Sequence, residues 1–258
     1  MIDIIPHEGD ITELRIARPP INLIGVDVLK SVRAALAEAD RSGQRGIILS
    51  GVPGVFSSGV DIPALLDGPR AQVREYWEQV FLLASEMAMS RQPIFAAITG
   101  HCMAAGALLA AFCDYRIMAQ GPWQIGLNEV RVGVALPECF QYAVRRVVGA
   151  LNAERMLVFG RLLSPEQAMD INLVDELTAQ DQVVTLAHAR LKELLAMPSH
   201  ALVSTRAIAR RDLRDVFADV DALPIDEFVD AFLEPATQQV LRHVASRIRQ
   251  RVAPAVAQ

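Results

Sequence analysis

Apolar and polar positions repeat along this chain with two periods, one of strands and one of helices. Ile2 to Ile5 and Ile11 to Ile16 predict two short strands separated by His7-Glu8-Gly9-Asp10, and Pro19-Pro20 ends the second. From Val26 to Asp40 the period becomes helical: Val28, Leu29, Val32, Leu36 and Ala37 share one face, with charges opposite. Gly43 and Gly46 break that helix. Gly46-Ile47-Ile48-Leu49-Ser50 then forms an unbroken apolar run, the mark of a strand covered on both faces. Residues 70–90 predict a helix, with Val73, Trp77, Val80, Phe81, Ala84 and Met87 at helical spacing. Its aromatic and methionine side chains read as core.

The segment from Pro93 to Pro137 organises the rest. It predicts a buried strand, Ile94 to Ile98, closed by Gly100. A turn of small residues, Met103-Ala104-Ala105-Gly106, opens an apolar helix that runs to Phe112. A strand from Tyr115 to Ala119 and an extended piece from Trp123 to Ile125 come next, and then a lone carboxylate, Glu129. Small residues at a helix start admit a ligand close to the backbone, and the free N–H groups of a first helical turn bind negative charge. An acid among Ile125, Leu127 and Val130 is either a surface residue of a turn or a base in a dry pocket. This window alone leaves both open.

Helices are predicted over Phe140 to Val148, over Ala153 to Phe159 and over Ser164 to Ile171. The last carries a capping signal in Ser164, Pro165 and Gln167. Leu173 to Leu177 predicts a short strand. The remainder is helical, over 181–196, 199–210, 225–234 and 236–251, punctuated by Pro198, Pro224 and Pro235. The pattern is α/β: strand–strand–helix units up to about residue 177, followed by a helical tail.

Composition narrows the class. Hydrophobic residues make up 52% of the 258 residues but aromatics only 5%, so Ala, Val, Leu and Ile fill the core, as in helix-rich proteins with parallel strands. The longest apolar run, Cys102 to Cys113, is well short of the roughly 20 residues that span a bilayer. No membrane contact is expected. An acidic N-terminal MIDIIPHEGD and three cysteines without a CxxC pair predict a reduced, cytoplasmic protein. A net charge of −5 argues against a nucleic-acid partner.

The sequence contains no GxGxxG, GxxxxGK[ST] or GxSxG. His7, His101, His188, His200 and His243 lack metal-ligand spacing, so no metal is expected. His101 follows the Gly100 turn and reads as a packed or solvent-facing side chain. Arg242, Arg247, Arg249 and Arg251 read as a solvated or subunit-contacting face more readily than as a phosphate site.

Four segments carry a resemblance. Phe56-Ser57-Ser58-Gly59-Val60-Asp61-Ile62 resembles the FxAGxDL signature of the crotonase (enoyl-CoA hydratase/isomerase) superfamily, and Pro93 to Gly100 resembles its PxIAAxxG strand. Ala104 to Ala110 with Cys113-Asp114-Tyr115-Arg116 resembles its GGGxxLAxxCDxR segment, and Leu162 to Ala168 its later helix start. The order and spacing match over nearly the whole chain. The resemblance implies a crotonase-type spiral of ββα units over residues 1–195 and a C-terminal helical region, 196–258, that packs subunits into a trimer or hexamer. It also implies an acyl-CoA thioester as substrate, with coenzyme A as part of that substrate and no separate cofactor.

By the same resemblance the backbone N–H groups of Val60 and Ala105 form an oxyanion hole, Glu129 is the catalytic residue, and coenzyme A lies along Ser58, Val60, Asp61 and Ile62. Arg18 is a candidate for its phosphates. Leu108, Leu127 and Glu138 are expected around the acyl group. Ala105 stands where the family has glycine, so its methyl narrows the hole unless its φ is negative. Hydratases of the family use two glutamates; the first position is held here by Leu108 and the second by Glu129. The window Ile125 to Glu129 with Gly133 resembles the Δ3,Δ2-enoyl-CoA isomerases, in which one carboxylate suffices for a double-bond shift. Dienoyl-CoA isomerase or hydratase chemistry drawing on Glu138, and an acyl-CoA-binding member without catalysis, are the alternatives.

Overall fold

The computed structural model describes residues 1–252. Its strands are β1 (Ile2–His7), β2 (Ile11–Ile16), β3 (Leu23–Ile24), β4 (Gly46–Gly51), β5 (Gly54–Ser57), β6 (Gly59–Val60), β7 (Ile94–Ile98), β8 (Gly100–Met103), β9 (Tyr115–Ala119), β10 (Ile125–Gly126) and β11 (Glu176–Thr178). The helices are α1 (Val26–Arg41), α2 (Ile62–Leu65), α3 (Arg70–Met89), α4 (Ala105–Phe112), α5 (Glu138–Val148), α6 (Ala150–Phe159), α7 (Pro165–Asp170), α8 (Val183–Leu195), α9 (Ser199–Ala209), α10 (Arg211–Val216), α11 (Ile225–Leu233) and α12 (Pro235–Val252). Among the described residues no helix is long and apolar enough to cross a membrane.

The main sheet has the order β1-β2-β4-β7-β9-β11 and is parallel apart from β1. Alternation along its strands feeds two cores. Ile48, Phe95, Ala97 and Ile117 face Val183, Ala187 and Leu191 of α8. Ile47, Leu49, Ala96 and Ile98 face the larger core built with α1, α3 and α4. A parallel sheet of β10, β8 and β5 and a parallel pair of β3 and β6 carry the segments that build the site.

The apolar run Leu173 to Leu177 is not one strand. The N–H groups of Leu173 and Val174 donate to the Ala168 carbonyl at 2.8 and 3.3 Å, so these residues close the C-terminal end of α7, and the ladder starts only at Glu176. The capping box of α7 forms as its sequence predicts, with Ser164 and Gln167 exchanging hydrogen bonds.

The tail folds back on its own chain. Trp77 of α3 meets Phe228 and Phe232 of α11 edge-on at 4.6 and 5.4 Å, and Phe112 meets Phe217 at 5.3 Å. Phe228 and Phe232, in the region expected to pack subunits, are buried within the same chain. Removing either ring costs about 3–5 kcal/mol by general experience of cores. The tail residues from Leu213 to Ala245 therefore share the larger core with what precedes them, and Leu202 of α9 packs on the other. Arg242, one of the tail arginines, pairs with Asp67 at 3.1 Å; the side chain of Arg251 lies outside the described residues.

Candidate active site

The chain from Arg18 to Ile24 holds the segment from Ser57 to Asp61. β3 pairs with β6 through Leu23 opposite Gly59 and Ile24 opposite Val60. Ser58 N–H donates to Ile21 O at 3.1 Å and Asp61 N–H to Ile24 O at 3.2 Å. Ser58 and Asp61, three residues apart, thus both direct their N–H groups to the β3 side, with the turn at Gly59 (φ 96) between them. Ile24 O also accepts the buried Tyr76 hydroxyl at 2.9 Å, which ties the pair to α3. Arg18 donates to Asp61 at 2.7 Å and to Leu23 O at 3.3 Å. Its guanidinium thus already has a buried carboxylate partner at the start of α2, beside the residues expected to carry coenzyme A.

Opposite β6 stands the entrance to α4. Ala104 precedes the helix with φ 50 and ψ −124, and Ala105 is its first residue. The glycine-like conformation therefore falls on Ala104, while Ala105 has the negative φ of a helix and its methyl is tolerated. Gly59 packs against this corner. A Cβ on Gly59 would stand 2.8 Å from the Ala104 Cβ and 3.5 Å from the Ala105 nitrogen. Val60 and Ala105 are thereby neighbours across a gap that only glycine at position 59 permits. The start of α4 offers free N–H groups and the positive end of the helix dipole.

Glu129 begins a 3₁₀ turn, Glu129–Val132, two residues after Leu127 and closed by Gly133 at φ 80. Arg131 fastens the turn to the end of α6 by donating to Phe159 O at 3.1 Å and Gly160 O at 2.8 Å. Thr237 of α12 fastens the other side, its hydroxyl donating to Gly133 O at 3.0 Å. Glu129 shares a cavity of about 180 Å³ with Leu127, Val134, Leu136 and Leu157, among others. Its Oε2 is buried without a hydrogen-bond partner. Burial pushes its carboxyl up to about 7, partly offset by its own backbone N–H. The residue as a whole is half-buried, so the sealed oxygen rather than the exposed edge sets this environment.

Leu108, one turn into α4, is buried and lines a small apolar void with Ala105 and Ile24. Glu138 starts α5, is exposed, and does not line the Glu129 cavity; Gln141, one turn on, does. That placement departs from the expectation of Glu138 beside the acyl group. The first turn of α5 leaves Glu138 in solvent, while the half-buried Gln141 of the next turn reaches the cavity lining. Among the described residues no group of His, Cys, Asp and Glu could hold a metal ion. His101 is packed, accepting from Gln124 N–H at 3.1 Å with its ring edge-on to Trp123.

The sequence profile described as "Enoyl-CoA hydratase/isomerase" matches residues 7–243. The chain belongs to the enoyl-CoA hydratase/isomerase family. Its similarity to the mouse protein "Enoyl-CoA delta isomerase 1, mitochondrial" is 31% identity over 92% of this chain and 83% of that one. The crystal structure of human mitochondrial delta3-delta2-enoyl-CoA isomerase superposes with a TM-score of 0.91 at 28% identity, over 97% of this chain and 98% of that one. A Mycobacterium avium protein named as a probable enoyl-CoA hydratase is 32% identical over 78% of each chain. The family's spiral α/β fold, with helices at the C-terminal end, is the fold described above.

Within this family member, three residues near the site escape a motif-based reading: Asn22, Arg131 and Thr237; Ser57 lies inside the Phe56–Ile62 signature, which assigns it no role. Asn22 had a weak signal, a polar residue in an apolar stretch after Pro19-Pro20. Arg131 and Thr237 had none, because each acts on a carbonyl far away in sequence.

Proposed function

We propose that this enzyme moves the double bond of a 3-enoyl-CoA to position 2, using Glu129 as its single acid–base group. The observation that carries this reading is the environment of Glu129: one carboxylate, sealed on one oxygen and raised to about 7, with leucine rather than an acid at position 108. Removing a proton from C2 of the thioester puts negative charge on the thioester oxygen. The N–H groups of Val60 and Ala105 are the donors for that charge, each worth roughly 3 kcal/mol of barrier. Glu129 takes the C2 proton, the electron pair spreads over a dienolate, and Glu129 returns the proton at C4. The double bond then lies between C2 and C3, and no atom is gained or lost.

A carboxyl near 7 is ionised enough to take the proton and acidic enough to return it. Water addition needs a second group to hold and polarise the water, and Leu108 supplies none. Coenzyme A runs along Ser58 to Ile62, with Arg18 at the edge of that loop. The subunit associates through apolar surface, and the exposed Val130, Leu151, Val158 and Phe159 support this. Incubation with 3-enoyl-CoA and separately with 2-enoyl-CoA tests the reading. The first should give 2-enoyl-CoA and the second at most a trace of 3-hydroxyacyl-CoA. Hydration as fast as isomerisation would refute it.

A further inference from the structure

Asn22 is fully buried, at a left-handed φ of 48. Its Nδ2 donates to the carbonyls of Ile16, Val55 and Phe56 at 2.8, 3.1 and 3.2 Å, and its Oδ1 accepts the Arg18 N–H at 2.9 Å. These bonds fix the corner and with it the Asn22 carbonyl, which accepts the Ser57 hydroxyl at 2.8 Å. A hydroxyl has one proton. With that proton committed to Asn22 O, a lone pair of Ser57 Oγ accepts the Gly59 N–H at 3.0 Å. Gly59 sits at φ 96, and a glycine on its own leaves the next peptide plane free to turn. That plane carries the Val60 N–H. The Ser57 hydroxyl holds the N–H side of Gly59, and the Ala104 methyl bounds its α-carbon.

We propose that Ser57, locked by Asn22, is a positioning residue that aims the Val60 N–H at the thioester oxygen. The inference rests on the oxyanion hole assigned above. Ser57→Ala removes the relay and leaves Glu129 and both donors in the chain. Its kcat should fall about 10- to 100-fold, the scale of a small misplacement of a reacting group. KM should stay within about twofold and the pH limb set by Glu129 should not move. Infrared difference spectra of bound 2-enoyl-CoA labelled with ¹³C at the thioester carbonyl read the hole directly. Wild type should lower the carbonyl stretch, and Ser57→Ala should lose much of that shift. Ser85→Ala, which removes another buried hydroxyl, bonded to Phe217 O, controls for stability and should keep both kcat and the shift. If Ser57→Ala does not fold, Ser57→Cys, similar in shape with a weaker acceptor, carries the same comparison. A Ser57 variant with wild-type kcat and carbonyl shift overturns the positioning role and leaves the hole standing. A wild type that binds acyl-CoA without shifting the carbonyl overturns the hole itself.

Discussion

The N–H of Ala104 donates to the carbonyl of Gly126 at 2.9 Å. This bond joins the end of β8, one residue before the Ala105 donor, to the end of β10, three residues before Glu129. The groups proposed to stabilise charge and to move the proton thus follow two neighbouring strands of one small sheet. Gly126 sits at φ 155, where a Cβ would fall 2.3 Å from Arg161 O. The strand that delivers Glu129 accordingly lies flat against the Arg161–Leu163 segment.

The pH dependence of turnover follows from Glu129. A base must be ionised to accept a proton, and its carboxyl is pushed up to about 7. kcat/KM for 3-enoyl-CoA should rise with a one-proton slope up to about pH 7 and level off above it. Initial rates between pH 5 and 9 check this. A plateau already reached at pH 5 would mean an ordinary, solvated carboxylate.

Stability should carry the same signature with the opposite consequence. The folded chain holds the Glu129 proton more tightly than the unfolded chain, whose carboxyl has the ordinary value of 4.5. This contribution is complete below 4.5 and is lost as pH rises through about 7. Glu129→Gln, which cannot ionise, should therefore be more stable than wild type at pH 8, by on the order of 2–3 kcal/mol. The advantage should shrink toward pH 4.5. Urea denaturation at both pH values measures it, and an equal difference at the two would contradict the burial of this charge.

Ala104 occupies a backbone conformation that favours glycine, at a cost of order 1–3 kcal/mol. Glycine there relieves the strain and loses part of the gain to a more flexible unfolded chain. Ala104→Gly is expected to raise stability by about 1 kcal/mol. A destabilised variant in urea denaturation would show that the methyl contact with Gly59 outweighs the strain.

Leu108→Glu places a carboxylate one turn from the Ala105 donor. It should slow isomerisation, because a second charge brings in water and repels Glu129. Hydration of 2-enoyl-CoA should rise from a trace. The ratio of 3-hydroxyacyl-CoA to isomer, read by chromatography, is the measure, and unchanged isomerisation would place Leu108 outside the site.

Much of this architecture was legible in the residues. Gly46 to Ser50 and Ile94 to Ile98 are apolar throughout because both faces of the main sheet are covered, and they became β4 and β7. Helical periods marked α1 and α3 to within a residue or two. The two-residue strands β3, β6 and β10 show no period, since two residues cannot display one, yet they aim the site. The pattern over 225–234 predicts a helix, but it could not say that Trp77 and Phe81 of the same chain cover its Phe228 and Phe232. Glu129 was visible as an acid among apolar neighbours. The cavity it shares with Leu136 and Leu157 exists only once folding brings those residues together. The departure at Ala105 was visible too, whereas the strain at Ala104 is a backbone angle that no residue type announces.

One carboxylate, Glu129, is proposed to carry the reaction. Wild type and Glu129→Gln assayed side by side with 3-enoyl-CoA, with acyl-CoA affinity measured on both, test it most directly. Wild type should form 2-enoyl-CoA and almost no 3-hydroxyacyl-CoA. Glu129→Gln should lose turnover by at least about 10³-fold while binding acyl-CoA as tightly as wild type. A Glu129→Gln variant that still isomerises within about tenfold of the wild-type rate would contradict it.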